Sequence, residues 1–236
     1  MTSSARSHAH VDQTDAIPTG DVHSGAREPA ARYYRTMWLT AAVLTIILSY
    51  IWFVDPRIPH ASSAVPIALV AAAAVWRSAR EREWGFDWRA LLPGLRAAAL
   101  VTVPAVVAIL LAGAWLGTLH DRRDFLGSFS GLVVWAGAQQ WVLQTLVLRE
   151  AQRVTSPRRA ILLAATLFAI VHLPNPFLTP VTFVGGLVWC AIYARYPNIL
   201  ALAVSHALGT LAILHAFDEA ITGRLRIGYS YLQLGT

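Results

Sequence analysis

Three short strings in this 236-residue chain hold polar side chains, at helical intervals, that are able to bind or move a proton. The first holds Gln139, Gln140 and Gln144, the second Phe168 and His172, the third His206 and Thr210. An amide offers a carbonyl acceptor and an NH2 donor but no useful basicity near neutral pH, so it orients a water without deprotonating it. Histidine titrates near neutrality and can take the proton. At 100° per residue Gln140 and Gln144 lie one turn apart with Gln139 beside them, an arc of about 140°. Phe168 and His172 share a helix face in the same way, as do His206 and Thr210. Three helices would then each present a polar stripe. The blander role for the same groups is hydrogen bonding between helices, worth on average about 0.6 kcal/mol per pair. His215 stands nine residues after His206 and so on the other side of its helix, where an interfacial position suits it.

The elements that must hold these side chains are apolar. The chain is 56% hydrophobic and 14% charged, whereas an ordinary globular protein carries about 25% charged residues. A soluble fold is excluded, and the polar strings lie inside apolar runs where side chains normally face a bundle interior or a wet cavity. A span of about twenty apolar residues is the ruler for a bilayer crossing. It marks 37–54, 97–119, 125–148, 160–173, 178–194 and 199–217, with 61–76 as a shorter seventh. The expectation is an all-α polytopic membrane protein, a bundle of about seven transmembrane helices.

All nineteen basic residues are arginines. With seven crossings and the N-terminus in the cytoplasm, most of them fall in inside segments, around Arg77–Arg96, Arg149–Arg159 and Arg195. That asymmetry fits the positive-inside rule and a plasma-membrane protein. Arginines spread over short loops suit anionic lipid headgroups rather than nucleic acid, so no nucleic-acid partner is expected.

Residues 1–32 are polar, without apolar periodicity, and read as a disordered cytoplasmic tail preceding a membrane domain over 33–236. No signal peptide is expected, because the first apolar run starts near Met37. His8 and His10 lack further metal ligands nearby. The single cysteine, Cys190, excludes an intramolecular disulfide. Every carboxylate falls in a tail, a loop or a span end. Pro104 is expected to kink its helix. Gly113/Gly117 and Gly127/Gly131 have the spacing of close helix approach. Leu173-Pro174-Asn175-Pro176 must break a helix, either in a loop that dips into the bilayer or in a surface turn. Trp84, Trp88, Tyr33 and Tyr34 suit the headgroup level.

The strings Gln139-Gln140-Trp141-Val142-Leu143-Gln144, Phe168 through His172 to Pro176, and Ser205-His206-Ala207-Leu208-Gly209-Thr210 resemble, in order and spacing, the CAAX-protease and bacteriocin-processing (CPBP) family of intramembrane endopeptidases. The likeness covers roughly residues 125–217. The family pattern is Glu-Glu-x-x-x-Arg, Phe-x-x-x-His and His-x-x-x-Asn. Here Gln139 and Gln140 stand at the glutamate positions, Gln144 at the arginine position and Thr210 at the asparagine position. The resemblance implies a membrane-associated or lipidated peptide as partner and substrate. It implies a water positioned by Gln139 and His172, with His206 and Thr210 on the oxyanion side, and no cofactor. Two alternatives stay open: a pseudoprotease of the same fold that binds such peptides without cutting them, and a metal or haem protein ligated by His172 and His206.

Overall fold

The structure is a computed structural model that describes residues 27–55, 57, 63–120 and 125–235. Residues 1–26, with His8 and His10, lie outside it. The described residues form helices: α1 (Arg27–Ser49), α2 (Ala64–Glu81), α3 (Trp88–Leu116), α4 (Phe125–Trp141), α5 (Arg149–Val154), α6 (Pro157–Ile170), α7 (Leu178–Arg195), α8 (Ile199–Ala216), and two single turns, α9 (Glu219–Thr222) and α10 (Tyr229–Leu232). A wide π-helical stretch, Val142–Leu148, joins α4 to α5 without a break, and another, Tyr50–Val54, ends α1. Tyr33 and Tyr34 lie within α1, which reaches back to Arg27.

Four helices among the described residues are long and apolar enough to cross a membrane: Trp88–Leu116, Gly127–Val154, Leu178–Arg195 and Ile199–Ala216. The expectation of about seven spans is therefore corrected to four, although the architecture is all-α. An apolar run does not by itself show where its helix stops. Helix α6 has 14 residues, only about 21 Å at 1.5 Å per residue against a hydrocarbon core of about 30 Å. It ends at Ile170 because Pro174 follows in a turn. Trp38–Val54 is a shorter apolar helix, and the last turns of α2 carry Arg77, Arg80 and Glu81. Without seven crossings, the alternation of loops that assigned sides to the arginines no longer holds.

Capping fixes where the central pair begins. Asp87 accepts from Arg89 N at 2.9 Å and Asn198 from Leu200 N at 3.0 Å, which satisfies free amides at the starts of α3 and α8. Asn198 Nδ2 also donates to Asp87 O at 2.9 Å, tying the two N-termini together. From there α3 and α8 run side by side, and small residues let them close. A Cβ on Gly94 would sit 3.4 Å from that of Ala201, and one on Gly113 would run into Ala216 O. Gly113 thus makes the close approach expected of it. Gly117 instead ends α3 in the left-handed region at φ 71°, and a Cβ on Gly131 would meet nothing within 4 Å. Pro93 and Pro104 both lie inside α3, which continues through them.

A charged clamp joins α2 to α5. Arg77 and Glu150 are each 1% exposed, with Arg77 NH2 3.4 Å from Glu150 Oε1. Arg153 bridges Glu150 at 3.0 Å and Glu81 at 2.9 Å, while Arg149 pairs with Glu83. Glu150, near the end of the span Gly127–Val154, is therefore buried among arginines. Removing one member of a buried pair strands the other charge. Glu150→Ala should accordingly cost about 3–5 kcal/mol, seen as a much lower unfolding midpoint of the purified protein in detergent. An unchanged midpoint would contradict the clamp.

Candidate functional site

The four polar groups with the greatest chemical reach face one cavity of about 610 Å³: Gln139 from α4, His172 from the turn after α6, and His206 and Thr210 from α8. Helix α7 packs closely on α6 and only loosely on α3 and α8. The space left between them is the cavity, with otherwise mainly apolar walls. His206 lies seven residues into α8, about 10 Å below its start at 1.5 Å per residue.

Gln140 and Gln144 stand behind this cavity. Both are fully buried. Gln144 Nε2 donates to Gln140 Oε1 at 2.9 Å, and that bond turns the Gln140 NH2 toward His206 Nδ1, 3.3 Å away. An amide nitrogen has no acceptor lone pair to offer, so His206 Nδ1 is the acceptor and its ring proton is on Nε2. His172 is held the opposite way. Its Nδ1 lies 2.7 Å from Phe168 O, a carbonyl that can only accept. Nδ1 therefore carries the hydrogen and Nε2 is bare. One neutral imidazole presents a donor and the other an acceptor, and the fixed partner of each Nδ1 decides which.

Aromatic rings set the planes of both imidazoles. Trp189 stacks on His206 at 4.3 Å between centroids and 27° between planes, and the Phe168 ring meets His172 edge-on at 4.8 Å and His206 at 6.2 Å. Trp189 is itself anchored, since its Nε1 donates to Ser205 Oγ at 3.0 Å. Ser205 Oγ in turn shares a hydrogen bond of 2.6 Å with Thr102 Oγ1 of α3. The sequence reading missed Thr102, Ser205 and Trp189 as parts of the site. Ser205 precedes His206, so adjacency was the available signal there, whereas Thr102 and Trp189 lie far from the three strings and carried none. His215 bonds Leu211 O at 2.9 Å and takes no part in the cavity.

The loop Leu173-Pro174-Asn175-Pro176 contains a cis Leu173–Pro174 bond and turns inward at a fully buried Asn175. Asn175 Oδ1 accepts from Phe177 N and Leu178 N, which starts α7. Its Nδ2 donates to Thr222 O and Arg226 O at 3.0 Å each. The turn that carries His172 is thereby fixed to the C-terminal segment.

Among the described residues no three of His, Cys, Asp and Glu gather as metal ligands. His172 and His206 each have one ring nitrogen engaged, leaving at most one each for a metal. Among the described residues no carboxylate lines the cavity. Chemically, the cavity wall offers an imidazole with a bare ring nitrogen, an imidazole with a ring N–H, an amide and a hydroxyl.

Residues 122–212 match the family model described as Rce1-like, type II CAAX prenyl endopeptidase. The match runs from the start of α4 through most of α8 and includes all three motif strings. No curated protein and no solved structure matches the chain.

Proposed function

We propose that the cavity is a peptide site of the CAAX/CPBP type, and that it hydrolyses a membrane-associated or lipidated peptide with His172 in place of the family's glutamate as base. Water held between Gln139 and His172 Nε2 gives its proton to that nitrogen as its oxygen attacks the peptide carbonyl. The C–N bond then breaks, and the imidazolium returns the proton to the leaving amine. Gln139 acts as an orienting acceptor only, because its amide takes no proton. His206 Nε2–H and the Thr210 hydroxyl donate to the carbonyl oxygen, on which the negative charge develops.

The single observation that carries this reading is the opposed hydrogen-bonding of the two imidazoles that line one cavity. The family match over 122–212 supports the substrate class. A second reading, peptide binding without cleavage, is favoured by the lack of a carboxylate among the described residues of the cavity wall.

The bilayer is that of the plasma membrane, with the N-terminus cytoplasmic. Support comes from the arginines: Arg57, Arg224 and Arg226 stand at one end of the molecule, and a denser cluster stands at the other. The clamp of Arg77, Arg149 and Arg153 lies there, and loop 82–87, which carries Arg82, is joined to the Arg195–Asn198 turn by Asp87 N to Pro197 O at 3.0 Å. An arginine-rich end marks the inside. Helix α1 ends at the other side, where Ser230 Oγ bonds Asp55 Oδ2 at 2.6 Å, so its start faces the denser cluster.

The test is incubation of purified protein in lipid nanodiscs with a quenched fluorogenic peptide ending in a prenylated cysteine. Appearance of two fragments by mass spectrometry is expected. Binding of the peptide without fragments would replace the hydrolytic reading with the second one.

A further inference from the structure

The C-terminal segment enters the same cavity from outside the family-matched residues. After α9 the chain crosses residues 223–228, and Leu225 and Ile227 of this strap line the cavity with His172 and Leu178. Three consecutive residues, Gly223, Arg224 and Leu225, hold left-handed φ of 58°, 54° and 54°. Glycine takes that region freely, but the two that follow it are strained there. Such a conformation persists only where the surroundings over-determine it.

Here the surroundings do so from several sides. Asn175 grips the strap through the carbonyls of Thr222 and Arg226. Gly228 N donates to Leu173 O at 2.7 Å, next to His172 in the chain. A Cβ on Gly228 would run into Ile51 O, so the strap lies directly on the end of α1. Ser230 is then held by Asp55, whose other oxygen accepts from Tyr50 OH at 3.2 Å. These bonds all go to main chain or to residues beyond the strap. The side chains of Leu225 and Ile227 are therefore free to be chosen for what they present to the cavity.

We propose that the strap is the specificity wall of the site: Leu225 and Ile227 close the cavity beside His172 and set an upper size for the peptide side chain lying next to the bond that His172 faces. This rests on the peptide-site reading above. An aliphatic wall fixed from behind accepts a small or medium apolar side chain and clashes with a bulky ring, because packed walls yield little to added volume. Cutting Leu225 and Ile227 back to alanine enlarges that end while leaving the main-chain grip of Asn175 in place.

The experiment uses the full chain in lipid nanodiscs and three decapeptides, each with a benzophenone photo-crosslinker and a central Ala, Leu or Trp. Half-saturating concentrations of crosslinking are compared with empty nanodiscs as the blank. The Ala and Leu peptides are expected to saturate at concentrations about tenfold lower than the Trp peptide. In Leu225→Ala/Ile227→Ala the Trp peptide should come within about twofold of the others. In the converse variant, Leu225→Phe, the Leu peptide should weaken toward the Trp peptide. Specific binding whose order of preference ignores both variants would overturn the strap as the wall and leave the peptide site standing. No specific crosslinking of any peptide to any variant would overturn both.

Discussion

His172→Ala is expected to lower turnover of a cleavable peptide by about 10²–10⁴, the usual loss when a general base is removed. His172 Nδ1 is committed to Phe168 O, so Nε2 is the only position on this ring that can accept a proton from water. The amide of Gln139 cannot replace it, and His206 Nδ1 is already occupied by the Gln140 NH2. His172→Gln separates basicity from shape, because it fills much of the same space and can still donate to Phe168 O. Both substitutions should depress kcat with little change in KM, since the apolar walls that hold the peptide are untouched. Turnover within twofold of the parent would show that His172 is not the base.

The second large effect runs the other way. Gln139→Glu should raise turnover, by about 10² or more, by placing a carboxylate base beside the water. Gln139 lines the cavity and is only partly buried, so an ionised carboxylate there remains in contact with the solvent-accessible space. Gln140→Glu has a different expected result although the two residues are neighbours. Gln140 is fully buried, receives a bond from Gln144 and gives one to His206. A carboxylate there can only accept, so the bond that keeps His206 Nδ1 bare and fixes its proton on Nε2 would be lost. It would also bury a charge whose nearest polar neighbour is an amide, at a cost of several kcal/mol. Gln140→Glu alone should therefore unfold at lower temperature and cut no faster, and adding Gln144→Arg should restore stability by supplying a cation. Equal gains from Gln139→Glu and Gln140→Glu would contradict this division of the pair.

That division shows where the sequence was readable and where it was not. The three strings could be assembled from helical spacing, and the structure brings Gln139, His172, His206 and Thr210 to one cavity. Spacing alone could not tell that Gln139 faces the space and Gln140 the helix behind it. The outcome depends on where α8 packs and on the bond from Gln144. The span count was over-read for a related reason. Hydropathy registers that a run is apolar, but the length of α6 is set by a turn-forming Pro174 and the buried Asn175 beyond it. The place of Glu150 at a span end was legible, but its burial was not. Here Arg77, 73 residues earlier in the chain, covers it, and no local pattern encodes such a pairing. The strap at 223–228 has no periodicity at all, and its position is written in hydrogen bonds to Asn175 and Leu173.

The central claim is that the two cavity histidines are neutral and of opposite tautomer, one a bare acceptor and the other a donor. Nitrogen-15 NMR of protein labelled only in its histidine rings tests it most directly, with His172→Gln and His206→Gln used to assign the signals. A protonated Nδ1 with an unprotonated Nε2 is expected for His172, and the reverse for His206. The same tautomer at both sites, or an imidazolium at either near neutral pH, would contradict it.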